Sequence, residues 1–110
     1  MLRPDPVVAN KYTVVYDSGV LTVPVPTVAA GEVETVTISA APAVAAGDVI
    51  GFYGEGIPFS YVSGAGDVLS YPAPVMPVLN STMTLGVTAG FPIFPQARTY
   101  SFAANVTSTP

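Results

Sequence analysis

Proline decides most of what this chain can become. Twelve prolines and ten glycines are spread along 110 residues. Each proline removes a backbone N–H and holds φ near about −65°. No window of eleven residues offers helix formers in a 3.6-residue rhythm free of Pro or Gly, so helices are excluded as the main architecture. The longest uncharged stretch, Val68 to Ala97, contains Pro72, Pro74, Pro77, Pro92 and Pro95. It cannot be one membrane-spanning helix, which needs about 20 consecutive apolar residues.

Between these breaks the chain reads as strands. Val, Thr, Tyr, Phe and Ile cluster in short runs bounded by Gly, Pro, Asn and Asp, which is the strand-and-turn signature. From Arg98 to Thr107, Tyr100, Phe102, Ala104 and Val106 share one face, with Thr99, Ser101, Ala103, Asn105 and Thr107 on the other. Thr82–Thr88 places Met83, Leu85 and Val87 inward, and Val33–Ser39 does the same with Val36 and Ile38. Tyr12–Tyr16, Leu21–Val25, Asp48–Tyr53, Pro58–Val62 and Val68–Tyr71 complete the set. About eight short strands at spacings of roughly 8–12 residues predict an all-β fold, an antiparallel β-sandwich or jelly roll. Length alone allows one domain, so residues 1–11 are expected to form an extended N-terminal arm and residues 12–110 a single sandwich.

Charge narrows the function. Ionised residues make up 9% of the chain, and the net charge is −4, against about 25% ionised in an average soluble domain. Hydrophobic residues reach 50%, the reverse of a disordered composition. With Arg3, Lys11 and Arg98 as its cations, the chain lacks the basic footprint of a nucleic-acid binder. Met1 to Pro6 has neither the cationic start nor the apolar run of a secretory signal; a signal removed on export would be missing from a mature chain.

Histidine and cysteine are both absent. Nucleophiles activated by imidazole, thiolate chemistry, disulfides and the usual zinc ligand sets go with them. Glycosidase-type chemistry needs two carboxylates across a cleft, but Asp5, Asp17, Glu32, Glu34, Asp48, Glu55 and Asp67 all lie near turns or strand ends. No enzyme is expected and no cofactor is required. The glycines of Gly51–Gly56 are followed by neither the Lys nor the helix of a phosphate loop, so a hairpin turn explains them better.

Gly-acid pairs recur before strands, at Gly31-Glu32, Gly47-Asp48 and Gly66-Asp67. Turn chemistry accounts for them, since Gly takes positive φ and the acid binds local backbone. Calcium is the remaining metal with suitable ligands, through Asp48, Glu55 and Asp67. Asn80-Ser81-Thr82 and Asn105-Val106-Thr107 are N-glycosylation sequons, which makes Asn80 and Asn105 candidate glycan acceptors on an extracytoplasmic route. Tyr53, Phe59, Tyr61 and Tyr71 lie close in sequence and offer either core packing or a stacking surface for glycans.

The outward strand positions carry Thr, Ser and Ala rather than Lys and Glu. Such surfaces, with edges unguarded by charge, invite pairing with other chains. The sequence therefore leads to a self-assembling subunit. Pro4 and Pro6 stiffen the N-terminal arm, and Val7, Val8, Tyr12, Val14 and Tyr16 are the candidate residues for adding a strand to a neighbouring copy. Pairing of this strand within its own domain is the other reading.

Residues 47–58 (Gly47-Asp48-Val49-Ile50-Gly51-Phe52-Tyr53-Gly54-Glu55-Gly56-Ile57-Pro58) and 98–103 (Arg98-Thr99-Tyr100-Ser101-Phe102-Ala103) resemble secreted prokaryotic β-sandwich modules of surface and extracellular-fibre proteins. That resemblance implies an extracellular or cell-surface setting and a jelly-roll-like architecture, and it carries no catalytic motif. The function expected is a structural homopolymer forming a filament, tube or surface layer. The alternatives are a carbohydrate-binding or adhesin-type module, and a viral coat or decoration protein.

Overall fold

A computed structural model describes residues 1–29, 31–54, 57–60, 67, 68, 70, 76–88, 91–94 and 98–108, with Phe59 and Ser60 described by their backbone alone. The described residues are mainly β and contain no helix. Their strands are β1 (Leu2–Pro4), β2 (Lys11–Val14), β3 (Phe59–Ser60), β4 (Thr82–Thr84) and β5 (Thr99–Tyr100). Antiparallel pairing orders the first sheet β1-β2-β4, and β3 pairs with β5 in a second.

The N-terminal segment turns back instead of extending away as an arm. Asp5 causes the reversal: its Oδ1 accepts from the backbone N–H of Val7 (2.9 Å) and Val8 (2.7 Å), the local bonding that makes Asp a turn residue. Asn10 adopts φ 60°, a conformation Asn tolerates, and the chain re-enters as β2. The register sets Leu2 opposite Val14 and Pro4 opposite Tyr12. Beyond the strands the pairing continues, with Val15 N donating to Met1 O (3.0 Å) and the terminal ammonium donating to Tyr16 O (2.8 Å).

Odd positions of this segment face β2, as Asp5 N bonding to Lys11 O shows. Leu2 faces the other way and exchanges two 2.8 Å bonds with Val49. Two residues on, Pro4 lies on that same outer edge, where its missing N–H interrupts no bond to β2.

On the other side of β2, Tyr12 stands opposite Met83. Asn80, at φ 68°, begins this return: its N–H donates to Val14 O (2.8 Å), and Val14 N donates to Ser81 O (2.9 Å). Gly86, at φ +79°, ends β4 in a turn whose N–H meets Phe91 O at 2.8 Å. A Cβ there would lie 3.4 Å from Ile93 Cδ1. Among the described residues, Val14, Met83 and Phe91 are the buried hydrophobic side chains.

Most of the expected strands are shorter than their patterns. Arg98–Thr107 forms a ladder only at Thr99–Tyr100, and Thr82–Thr88 only at Thr82–Thr84. Asp48–Tyr53 contributes a single bridge, Leu2 to Val49. Near Val68–Tyr71 the described pairing is two bridges, Asp67 to Arg98 and Ser70 to Ile93; within Pro58–Val62 it is β3, with Tyr61 and Val62 outside the described residues. Leu21–Val25 and Val33–Ser39 join no ladder. Among the described residues, five strands of two to four residues stand where about eight were expected along the chain.

The chain exposes 8270 Å², whereas area scaling for a folded monomer of 11.2 kDa gives about 5,700 Å². Its radius of gyration is 15.0 Å, against about 13 Å for a compact domain of this length.

Candidate functional site

An open, mainly apolar concavity lies beside the first sheet. The three-stranded sheet supplies Tyr12, Val14 and Met83 to its lining, and residues 20–26 and 32–38 border it as two arms. Val20, Val25 and Val33 are 98%, 84% and 93% exposed. These are large apolar side chains in water.

The two arms are joined by a closed loop. Glu32 Oε1 accepts from Thr27 N (2.6 Å) and Thr27 Oγ1 (3.2 Å), and Gly31 N donates to Val28 O (3.0 Å). Gly31 adopts φ +91°, which a side chain would resist. The Thr27 amide holds the Glu32 carboxyl below its ordinary range, helped by a hydrogen bond with Glu34, and the same bond holds Glu34 above it. Past the loop, Glu34, Val36 and Ile38 are half-buried, while Thr35, Thr37 and Ser39 are exposed. The two-residue alternation of a strand survives here without a ladder.

The candidate calcium ligands are engaged with the chain itself. Asp48 receives a bidentate guanidinium, Arg3 Nε to Oδ1 (2.9 Å) and Nη2 to Oδ2 (2.8 Å), and its Oδ2 also accepts from Ala45 N (2.8 Å). Arg3, and then the Ala45 amide, hold the Asp48 carboxyl at about 2. Asp67 Oδ2 accepts from Tyr100 N at 2.7 Å. Glu55 lies outside the described residues. Among the described residues, no group of three His, Cys, Asp or Glu is placed to hold a metal ion. At Gly31-Glu32 and Gly47-Asp48 the acids bind local backbone beside glycines at φ +91° and +90°, which is the turn chemistry expected of them.

Of the aromatic candidates, Tyr53 is exposed. Tyr61, Tyr71 and the Phe59 side chain lie outside the described residues. A cluster that the sequence split between two runs forms instead: Phe52 meets Tyr100 at 5.2 Å and 70°, and Phe102 at 5.3 Å and 68°. These edge-to-face contacts are the mutual packing that aromatic rings prefer. Alternation in 98–107 had already put Tyr100 and Phe102 on one face, but nothing marked Phe52 as their partner.

Both sequons are on the surface. Asn80 sits exposed in its turn, and Asn105 is exposed in the C-terminal run. The arm residues separate: Val7 and Val8 are exposed at the turn, Tyr12 and Tyr16 are half-buried, and Val14 is core. Comparison with protein-family models, curated proteins and solved structures gives no match to this chain.

Proposed function

We propose that the protein is a structural subunit that self-assembles, by strand addition and apolar packing, into a filament, tube or layer. One observation carries this reading. The chain exposes 8270 Å², about 2,600 Å² more than scaling gives for a folded monomer of its mass. Obligate interfaces bury about 2,000–5,000 Å² in total, or about 1,000–2,500 Å² on each partner, so the excess on one chain is of the size that one or two contacts with neighbouring copies cover. Removing even 1,000 Å² of apolar area from water contributes about 25 kcal/mol before the entropic cost of association and ordering.

The sparse charge supports the same reading. Only 9% of residues are ionised, so little electrostatic repulsion opposes close packing of copies. The assembly belongs at the cell surface or outside the cell, the setting implied by the resemblance at residues 47–58 and 98–103.

Electron microscopy of purified protein tests the proposal. Regular filaments, tubes or sheets are expected. Closed shells would turn the reading to a coat protein, and isolated monomers that bind glycans would turn it to a carbohydrate-binding module.

A further inference from the structure

Two stretches of backbone in this chain lack what their sequence equips them for. Among the described residues, no backbone–backbone hydrogen bond is made by residues 20–26 or 33–38. Backbone N–H and C=O groups must pair with protein or with water. Here they accompany Val20, Val25 and Val33, which are almost fully exposed. The arms border one concavity, and the Thr27–Glu32 loop joins them, yet they do not ladder with each other.

Proline restricts how the first arm can pair. Val23 and Val25 each precede a proline and are driven into extended conformations. In a strand, the N–H and C=O of alternate residues point to the same edge. Pro24 and Pro26 therefore leave one edge with Thr22 as its single donor, while Leu21, Val23 and Val25 keep theirs on the other. Such a strand pairs in full along one edge and poorly along the other, as an edge strand does. On the second arm, Glu34, Val36 and Ile38 are the half-buried positions.

We infer that residues 21–26 of one copy add as an antiparallel edge strand to residues 33–38 of a second copy, with Leu21 opposite Ile38, Val23 opposite Val36 and Val25 opposite Glu34. This rests on the self-assembly reading and names its contact. The occupant is another copy for three reasons. The excess surface of about 2,600 Å² matches a subunit interface. Ser18 to Gly31 contains no ionised residue, so the net charge of −4 does not repel a second copy here. The register puts every hydrogen-bonding position of the first arm on a residue that has an N–H. Donor and acceptor are different surfaces of one chain, so the contact can repeat head-to-tail into a filament.

The absence of cysteine makes the test clean. A size-tagged Val23→Cys chain is mixed with untagged Val36→Cys chain and oxidised, with tagged Val7→Cys plus Val36→Cys as the control. Paired Cα atoms in a ladder stand about 5.5 Å apart, within disulfide reach. The expected product is a mixed-size dimer well above the control. Sedimentation run alongside separates the two claims: assembly without that dimer overturns this contact alone, and monomer throughout overturns the self-assembly reading with it. A second pair of variants needs no cross-link. Val36→Pro removes an N–H from the paired edge and is expected to raise the concentration needed for assembly about tenfold, whereas Thr35→Pro removes one from the far edge and leaves it unchanged. Equal effects of the two would overturn the register.

Discussion

Arg3 and Asp48 fasten the start of the chain to its middle. The guanidinium approaches both carboxylate oxygens at 2.8–2.9 Å and covers the Asp48 side chain, which is only 1% accessible. Arg3, followed by the Ala45 amide, lowers the Asp48 carboxyl from its ordinary 3.8 to about 2. A carboxyl lowered by folding stabilises the fold above its unfolded value, and that stabilisation is lost as pH falls through the folded one. Thermal melts are thus expected to lose midpoint temperature between pH 3.8 and about 2. Asp48→Asn should melt lower at neutral pH and show a shallower acid slope. Some slope remains, because the Val8 and Val7 amides lower Asp5 in the same direction. An unchanged slope in Asp48→Asn would refute the clamp. Beside it, Gly47 sits at φ +90° with Pro4 Cγ 3.5 Å from where a Cβ would stand. Gly47→Ala is expected to cost about 1–2 kcal/mol in denaturant unfolding, the usual penalty of a left-handed conformation.

At the scale of elements, stability concentrates where β2 and β4 meet. Met83 is buried opposite Tyr12, so Met83→Ala should lose about 2–5 kcal/mol in urea unfolding, while Val7→Ala at the exposed turn should stay within about 0.5 kcal/mol. Equal losses would place the core elsewhere. Period-two alternation made Met83, Tyr12 and Val14 legible, because a half-buried strand writes its inner face into sequence. It could not show which strands find partners. Val36 and Ile38 keep the buried side of their pattern, yet ladder formation depends on a second backbone that local sequence does not specify. Pro24 and Pro26 are the readable sign that Leu21–Val25 has one fully equipped bonding edge and one depleted of donors. Asp5 and Asn10 were likewise readable as turn residues, and they explain why the N-terminal segment folds back. Phe91 is buried without any alternation around it, since backbone bonds to Gly86 and Thr88 place it. Arg3 and Asp48 were visible as opposite charges, but 45 residues separate them and nothing local joins them.

At the scale of the molecule, the exterior is short of charge and rich in exposed apolar side chains. Composition located the missing charge on outward positions; the structure adds exposed Val20, Val25 and Val33 and an open concavity beside the sheet. A chain of 110 residues can bury a core by itself, so the surplus of about 2,600 Å² is not imposed by size. In the self-assembly account it is interface. The candidate site was legible to the extent that both of its arms were read as strands; that they border one concavity depends on the Thr27–Glu32 loop, closed by the Glu32 side chain on Thr27 and by the Gly31 N–H on Val28 O. Sedimentation velocity of the purified chain across a hundredfold range of concentration tests the account most directly. It predicts species heavier than 11.2 kDa that grow as concentration rises; a single 11.2 kDa species across the whole range would contradict it.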